Sequence, residues 1–215
     1  MSFTIRAGSA AEALAAVAAI QAGGLSILEI TMTVPGAVEL IAAVSRAAPS
    51  ALVGAGTVLD AASARACIAA GARFVVSPAL DPDTITACRD AGIAVLPGAL
   101  TPTEVVTAWK AGADMVKVFP ANAVGGPSYI KSLRAPLPEI RLVPTGGVNL
   151  NTAKEFLNAG AAALGVGADL VDLAALRRGE ASFVTERARQ VRARGKEARA
   201  GGGAANPQPG GRDRV

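Results

Sequence analysis

One pattern recurs along the chain and limits its fold more than any other feature. A short apolar or β-branched run leads into a polar or glycine turn, then into an Ala-rich amphipathic segment that ends in glycine. The runs are FTIR (3–6), SILEIT (26–31), LVGAGT (52–57), RFVVS (73–77), IAVLP (93–97), DMVKVF (114–119), RLVPT (141–145) and AALGV (162–166). Runs of that length and composition read as strands, and the longer stretches between them as helices. The helical stretches carry their own start and stop signals. Ser9 precedes the first, Pro82 and Pro102 suit first-turn positions, and Asn149 or Asn151 suits the cap of the stretch through Glu155. Gly23, Gly71, Gly92, Gly112 and Gly160 stand where helices should end. Strands that alternate with helices pair in parallel through right-handed crossovers. With eight such units and connections of a few residues, the expected fold is α/β, a single-domain (β/α)8 TIM barrel. A doubly wound open sheet would more naturally carry a glycine-rich phosphate motif after its first strand, where this chain reads RAGSAAEA.

The barrel and its C-terminal helix are expected over 1–195. Residues 196–215, basic and rich in Gly and Pro, read as a disordered tail. Charge divides at almost the same place. Residues 177–215 hold ten Lys/Arg against four Asp/Glu, and residues 1–176 hold eleven against thirteen, so the net charge of +4 belongs to the C-terminal end. A basic helix without interleaved aromatics is read as a solvated face, so no nucleic-acid partner is expected. No apolar run reaches the length of a membrane span, and the N-terminal residues lack the basic and apolar regions of a secretory signal. A cytoplasmic location follows as the expectation. The chain has no histidine, which excludes a Ser-His-Asp triad and leaves no zinc-type ligand set. Cys67 and Cys88 are expected as buried thiols rather than a disulfide or metal pair. No metal and no cofactor are expected.

In such barrels the working residues stand at the C-terminal ends of the strands. Those ends supply Arg6, Glu29 with Thr31 and Thr33, Thr57, Ser77 and Pro78, Pro97 and Gly98, Lys117 with Phe119, Thr145 to Gly147, and Gly165 to Ala168. Two of these put charge where burial is expected. Alternation places Met115, Lys117 and Phe119 on one strand face and Val116 and Val118 on the other, so Lys117 points into the barrel. Burial lowers a lysine's pKa, and the neutral amine is a good nucleophile towards a ketone. The alternative is an amine that reaches solvent at a strand end. Glu29 shares its inward face with Thr31, opposite Leu28 and Ile30. It reads either as a counter-ion or, beside an inward lysine, as a proton shuttle. The glycine loops at 144–148 and 165–169 follow the seventh and eighth strands, where this fold cradles phosphate.

The motifs Ile-Leu-Glu-Ile-Thr-Met-Thr, Val-Gly-Ala-Gly-Thr-Val-Leu, Phe-Val-Val-Ser-Pro, Leu-Pro-Gly, Val-Lys-Val-Phe-Pro-Ala, Gly-Gly-Pro-Ser-Tyr-Ile-Lys and Pro-Thr-Gly-Gly-Val occur in that order. As a set they resemble the 2-keto-3-deoxy-6-phosphogluconate (KDPG) aldolase and 4-hydroxy-2-oxoglutarate (KHG) aldolase family, from about Thr4 to Val171. The resemblance implies a class I aldolase of the Entner–Doudoroff pathway. Such an enzyme cleaves KDPG to pyruvate and glyceraldehyde 3-phosphate, and KHG to pyruvate and glyoxylate. It implies Lys117 as the Schiff-base lysine, Glu29 as acid/base, Arg6 and Thr57 as substrate contacts, Thr145 in stereoselectivity, and Gly146 and Gly147 in the phosphate site. Thr31, Thr33, Pro78, Phe119, Gly167 and Ala168 complete the expected substrate-binding set. The partners implied are a 2-keto acid, a phosphorylated aldehyde and two further copies of the chain in a homotrimer. This chain departs from the family pattern at three points. Thr33 stands where many relatives carry an arginine, leaving Arg6 to hold the carboxylate. Val-Gly-Ala replaces Gly-Gly-Ser in the last loop, so Ala168 brings no hydroxyl. The family's N-terminal helix is largely absent ahead of the first strand. The Gly-Val-Gly-Ala-Asp-Leu run is closer to members that take the phosphogalactonate epimer. Two other readings remain: a phosphosugar isomerase or epimerase with Glu29 as base, and a barrel without catalysis.

Overall fold

The structure, a computed structural model, describes residues 2–166 and 172–201. Each apolar run forms a strand, because β-branched and small side chains fit a pleated surface buried on both sides. In chain order these are β1 (Ser2–Ile5), β2 (Ile27–Thr31), β3 (Leu52–Gly56), β4 (Phe74–Val76), β5 (Ala94–Leu96), β6 (Gly98–Ala99), β7 (Val116–Val118), β8 (Leu142–Pro144) and β9 (Gly165–Val166). All pairings are parallel, in the orders β5-β4-β3-β2-β1-β9 and β6-β7-β8. A parallel bridge between Thr145 and Gly165 joins the second set to the first and closes the ring on that side. The fifth run differs from the expected 93–97. It stops at Leu96, is interrupted by Pro97, and resumes for Gly98–Ala99. Proline has no N–H to give the ladder, but its carbonyl still accepts the Lys117 N–H at 2.9 Å. The α/β barrel is thus the observed architecture.

Helices α1 (Ala10–Ala22), α2 (Ala37–Ala47), α3 (Ala61–Ala69), α4 (Pro82–Asp90), α5 (Pro102–Lys110), α6 (Pro127–Arg134), α7 (Ala153–Asn158), α8 (Leu173–Arg177) and α9 (Ala181–Gly201) alternate with the strands or follow the last of them. Their starts follow from side-chain caps. Ser9 accepts from Glu12 N at 3.2 Å, Asp60 from Ser63 N at 2.7 Å and Asp81 from Thr84 N at 3.0 Å. Thr101 and Glu104 form a reciprocal capping box, with Pro102 in the first turn. Asn149 holds the turn before α7, its side chain accepting from the N–H groups of Asn151 and Thr152. At the end of α1 the left-handed residue is Gly24 (φ 83°), one place beyond the expected Gly23. Gly23 serves packing instead, since a Cβ there would overlap Ala188 of α9.

The core lies between ring and helices. Leu28, Ile30, Val53, Ala55, Val75, Val116 and Val118 are buried on the strands and meet Ala13, Ala16, Ile41, Cys67, Ile85, Val105 and Ile130 on the helices. Cys67 and Cys88 are free, and burial pushes both thiols up to about 11. Helix α9 runs to Gly201, six residues beyond the expected domain end at 195, and residues 202–215 lie outside the described residues.

Candidate active site

Two ionisable side chains enter the barrel from different parts of the ring. Glu29 is the middle residue of β2, registered against Thr4 on β1 and Gly54 on β3. It is 4% exposed. Two small features make room for it and hold it. Gly56 lacks a side chain where a Cβ would overlap the Glu29 carboxylate, and the Thr4 hydroxyl donates a hydrogen bond to it. Burial raises the Glu29 pKa above the ordinary carboxylate value, against the opposing pull of Lys117, the Thr4 hydrogen bond and Arg6.

Lys117 is the middle residue of β7, registered against Gly98 and Val143, and 8% exposed. Its neighbours Val116 and Val118 are fully buried on the opposite face. The Lys117 Nζ lies 5.0 Å from the centroid of the Phe119 ring. Burial lowers its pKa, opposed by Glu29 and assisted by Arg6. Arg6 is exposed at the end of β1, yet its charge acts on both buried groups. A desolvated amine and a desolvated carboxylate that feel each other are suited to nucleophilic attack and proton transfer.

The rim residues stand around this pair. Thr31 is fully buried and donates to the Ile5 carbonyl at 3.3 Å, leaving Thr33, exposed, to donate to Thr31 at 2.7 Å. Thr57 is half-buried with φ at +57°, a conformation that costs a β-branched residue energy and is held only by its surroundings. Pro78 follows buried Ser77, whose hydroxyl accepts from Ala79 N at 3.2 Å. The Pro78 carbonyl packs where a Cβ on Gly98 would stand, and Gly98 is the strand partner of Lys117. Thr145 is half-buried, with its N–H donating to Val118 O and its carbonyl accepting from Ala121 N, both at 2.9 Å. Its hydroxyl fills the space left by the missing side chain of Gly165. Gly146 (φ 94°) and Gly147 (φ 73°) then turn away in left-handed conformations that favour glycine.

The expected positions therefore gather at one end of the ring, except Gly167 and Ala168, which lie outside the described residues. The sequence reading missed Thr4, Gly56 and Asn122. Thr4 and Gly56 matter through their neighbours on β2, and Asn122 through its contact with Gly146 and Gly147. The signal for Gly56 lay in Gly-Ala-Gly, where two glycines share a strand face, and for Thr4 in the strand register. Among the described residues no group of three or more His, Cys, Asp or Glu converges, and no helix is long and apolar enough to cross a membrane.

Residues 3–186 match the family described as Aldolase: KDPG and KHG aldolase. A Treponema pallidum protein, 2-dehydro-3-deoxy-phosphogluconate aldolase, is 39% identical over 139 residues, which cover 65% of this chain and 66% of the relative. The match thus spans just under two thirds of that relative's own length. A solved structure described as native KDPGal is 33% identical, with a TM-score of 0.83 over 92% of this chain and 95% of its own. KDPG aldolase from Legionella pneumophila, solved with pyruvate captured at low pH as a covalent carbinolamine intermediate, is 30% identical. Its TM-score is 0.81 over 88% of this chain and 91% of its own.

Proposed function

We propose that this chain, which belongs to the KDPG and KHG aldolase family, is a class I aldolase that cleaves KDPG to pyruvate and glyceraldehyde 3-phosphate. KHG, cleaved to pyruvate and glyoxylate, is the second substrate of this reading. The observation that carries the proposal is the burial of Lys117 and Glu29, 8% and 4% exposed, at the middles of β7 and β2. Burial lowers the pKa of the amine and raises that of the carboxyl.

The chemistry follows from those two groups. Lys117 Nζ, neutral, adds to the C2 carbonyl of the keto acid, and loss of water gives an imine. Protonated on nitrogen, the imine accepts the electron pair of the C3–C4 bond. Glu29 takes the proton from the C4 hydroxyl, directly or through water, as that bond breaks and C4 becomes the aldehyde. Glu29 then returns a proton to C3 of the enamine, and water adds to C2 of the imine to release pyruvate and free Lys117. Arg6 supplies positive charge for the carboxylate of the substrate, with Thr33 on the rim in place of a second cation. Thr57, Pro78 and Phe119 line the pyruvyl side, and Thr31, fully buried behind the rim, holds Thr33 rather than the substrate. Thr145 stands beside C4, and Gly146 and Gly147, with Gly167 and Ala168, take the phosphate. No step calls for a metal or cofactor.

The second reading keeps the mechanism and changes the configuration at C4 to that of 2-keto-3-deoxy-6-phosphogalactonate. Likeness to the KDPGal structure favours it. The ratio of kcat/KM for the two epimers decides between them. A homotrimer in the cytoplasm completes the proposal, and light scattering tests the trimer.

The deciding experiment is incubation with pyruvate and borohydride followed by intact-mass and peptide mapping. A reduced pyruvyl adduct on Lys117 is expected. Its absence from folded protein would overturn the imine and favour an isomerase or epimerase that uses Glu29 as a base, since such an enzyme forms nothing reducible.

A further inference from the structure

The Gly146–Gly147 turn is not bare. Asn122 Oδ1 lies 2.7 Å from where a Cβ on Gly146 would stand, and Asn122 Cβ lies 2.7 Å from where one on Gly147 would stand. Asn122 belongs to a short 3-10 turn (Ala121–Val124) that follows the strand bearing Lys117. That turn is fixed to the end of the neighbouring strand, β8. Ala121, fully buried, donates its N–H to the Thr145 carbonyl at 2.9 Å, and its own carbonyl accepts from Gly126 N at 2.9 Å. The Asn122 side chain itself is exposed. It therefore walls the glycine turn on the side of the Lys117 strand, with its backbone anchored and its carboxamide open to the rim.

We propose that Asn122 is a specificity-determining residue of the distal anion subsite, donating its carboxamide N–H to the terminal phosphate of the substrate. This inference rests on the aldolase reading above and adds a residue to it. A carboxamide is a neutral donor that contacts a dianion without adding charge of its own. It complements the N–H groups of the two left-handed glycines, whose missing side chains let an anion approach the backbone. The charge at position 122 then decides how strongly a phosphorylated substrate is preferred over an unphosphorylated one.

The test is a charge series at one exposed position, Asn122→Asp and Asn122→Lys. KM and kcat are measured with KDPG and with unphosphorylated 2-keto-3-deoxygluconate, and binding of inorganic phosphate is measured by calorimetry. Asp is expected to raise KM for KDPG about tenfold through like-charge repulsion, and Lys to lower it severalfold. KM for the unphosphorylated acid should move by much less, and phosphate affinity should follow the same order, Lys above Asn above Asp. Equal shifts for both substrates, no shift, or the same sign for Asp and Lys would overturn the proposal, because a structural role has no reason to follow charge. Pyruvate trapping on the wild type keeps the two readings apart. Trapping without the charge order removes Asn122 alone, whereas the charge order in phosphate binding without trapping keeps the subsite and removes the aldolase.

Discussion

Strands β2 and β7 each bury one charged residue at the middle position, and they treat it in opposite ways. Around Glu29 the structure is fitted. Gly56 clears the volume of the carboxylate, and the Thr4 hydroxyl holds it. At Lys117 the Phe119 ring lies 5.0 Å from the amine, and Glu29 and Arg6 act on it through charge. The contrast suits the two tasks. A group that passes a proton back and forth works best in one place. A nucleophile has to swing from rest to bond with a carbonyl carbon, so a tight hydrogen-bond cage would hinder it.

The largest effect that could break this comparison comes from the amine. Lys117→Ala should lower kcat/KM on the order of 10⁴-fold or more and abolish the pyruvate adduct, because no other group supplies the electron sink. An adduct that persists would move the nucleophile elsewhere. Glu29→Gln comes next, with a loss of about 10²- to 10⁴-fold, the range for a removed general acid/base. Unlike the lysine variant it should keep a reducible pyruvate adduct in mass spectra. Equal loss of adduct in both variants would erase the division of labour.

A smaller effect tests the fitted volume. Gly56→Ala forces a methyl into the carboxylate and should cost about 1–3 kcal/mol in urea unfolding together with a fall in kcat. Gly54→Ala on the same strand meets the Phe74 ring instead. A similar loss of stability with less loss of rate is expected there. If the two variants behave alike in rate, Gly56 has no particular bearing on Glu29.

The smallest effect is on pH. Thr4→Val removes a hydrogen bond that favours the Glu29 carboxylate, so the Glu29 pKa should rise further and the acid limb of the kcat/KM profile should move to higher pH. The sign for stability follows from the same shift. Because the folded pKa of Glu29 lies above its unfolded value of about 4.5, its protonation favours the folded state at low pH. That contribution is lost as pH rises through the folded pKa. Glu29→Gln should flatten this part of the stability profile, measured by urea unfolding at stepped pH.

How much of this could be read from the chain depends on how local the cause is. Glu29 and Lys117 were legible because a charge at the centre of an apolar alternating run is anomalous within five or six residues. The cap at Ser9 and the first-turn prolines Pro82 and Pro102 were legible for the same reason. Less local features came out shifted. The fifth strand breaks at Pro97 and continues to Ala99, since its end is set by pairing with β7 rather than by its own composition. The left-handed turn after α1 falls on Gly24, because Gly23 is taken up by the approach of Ala188 from α9. Thr4 and Asn122 had no local anomaly, and at Gly56 the Gly-Ala-Gly run did not say what the missing side chain makes room for. Each matters only through a residue on another element.

By itself, then, the sequence determined the order of strands and helices, the closed parallel ring they form, and the two inward charges. Periodicity and capping act over a few residues and are written directly in the chain. Only the tertiary structure decided that Glu29 and Lys117 are both buried and act on each other through charge, that burial moves their pKa values towards each other, and that Asn122 stands against the glycine turn. Desolvation and Coulomb interaction depend on everything that surrounds a group, and those surroundings come from segments far apart in sequence.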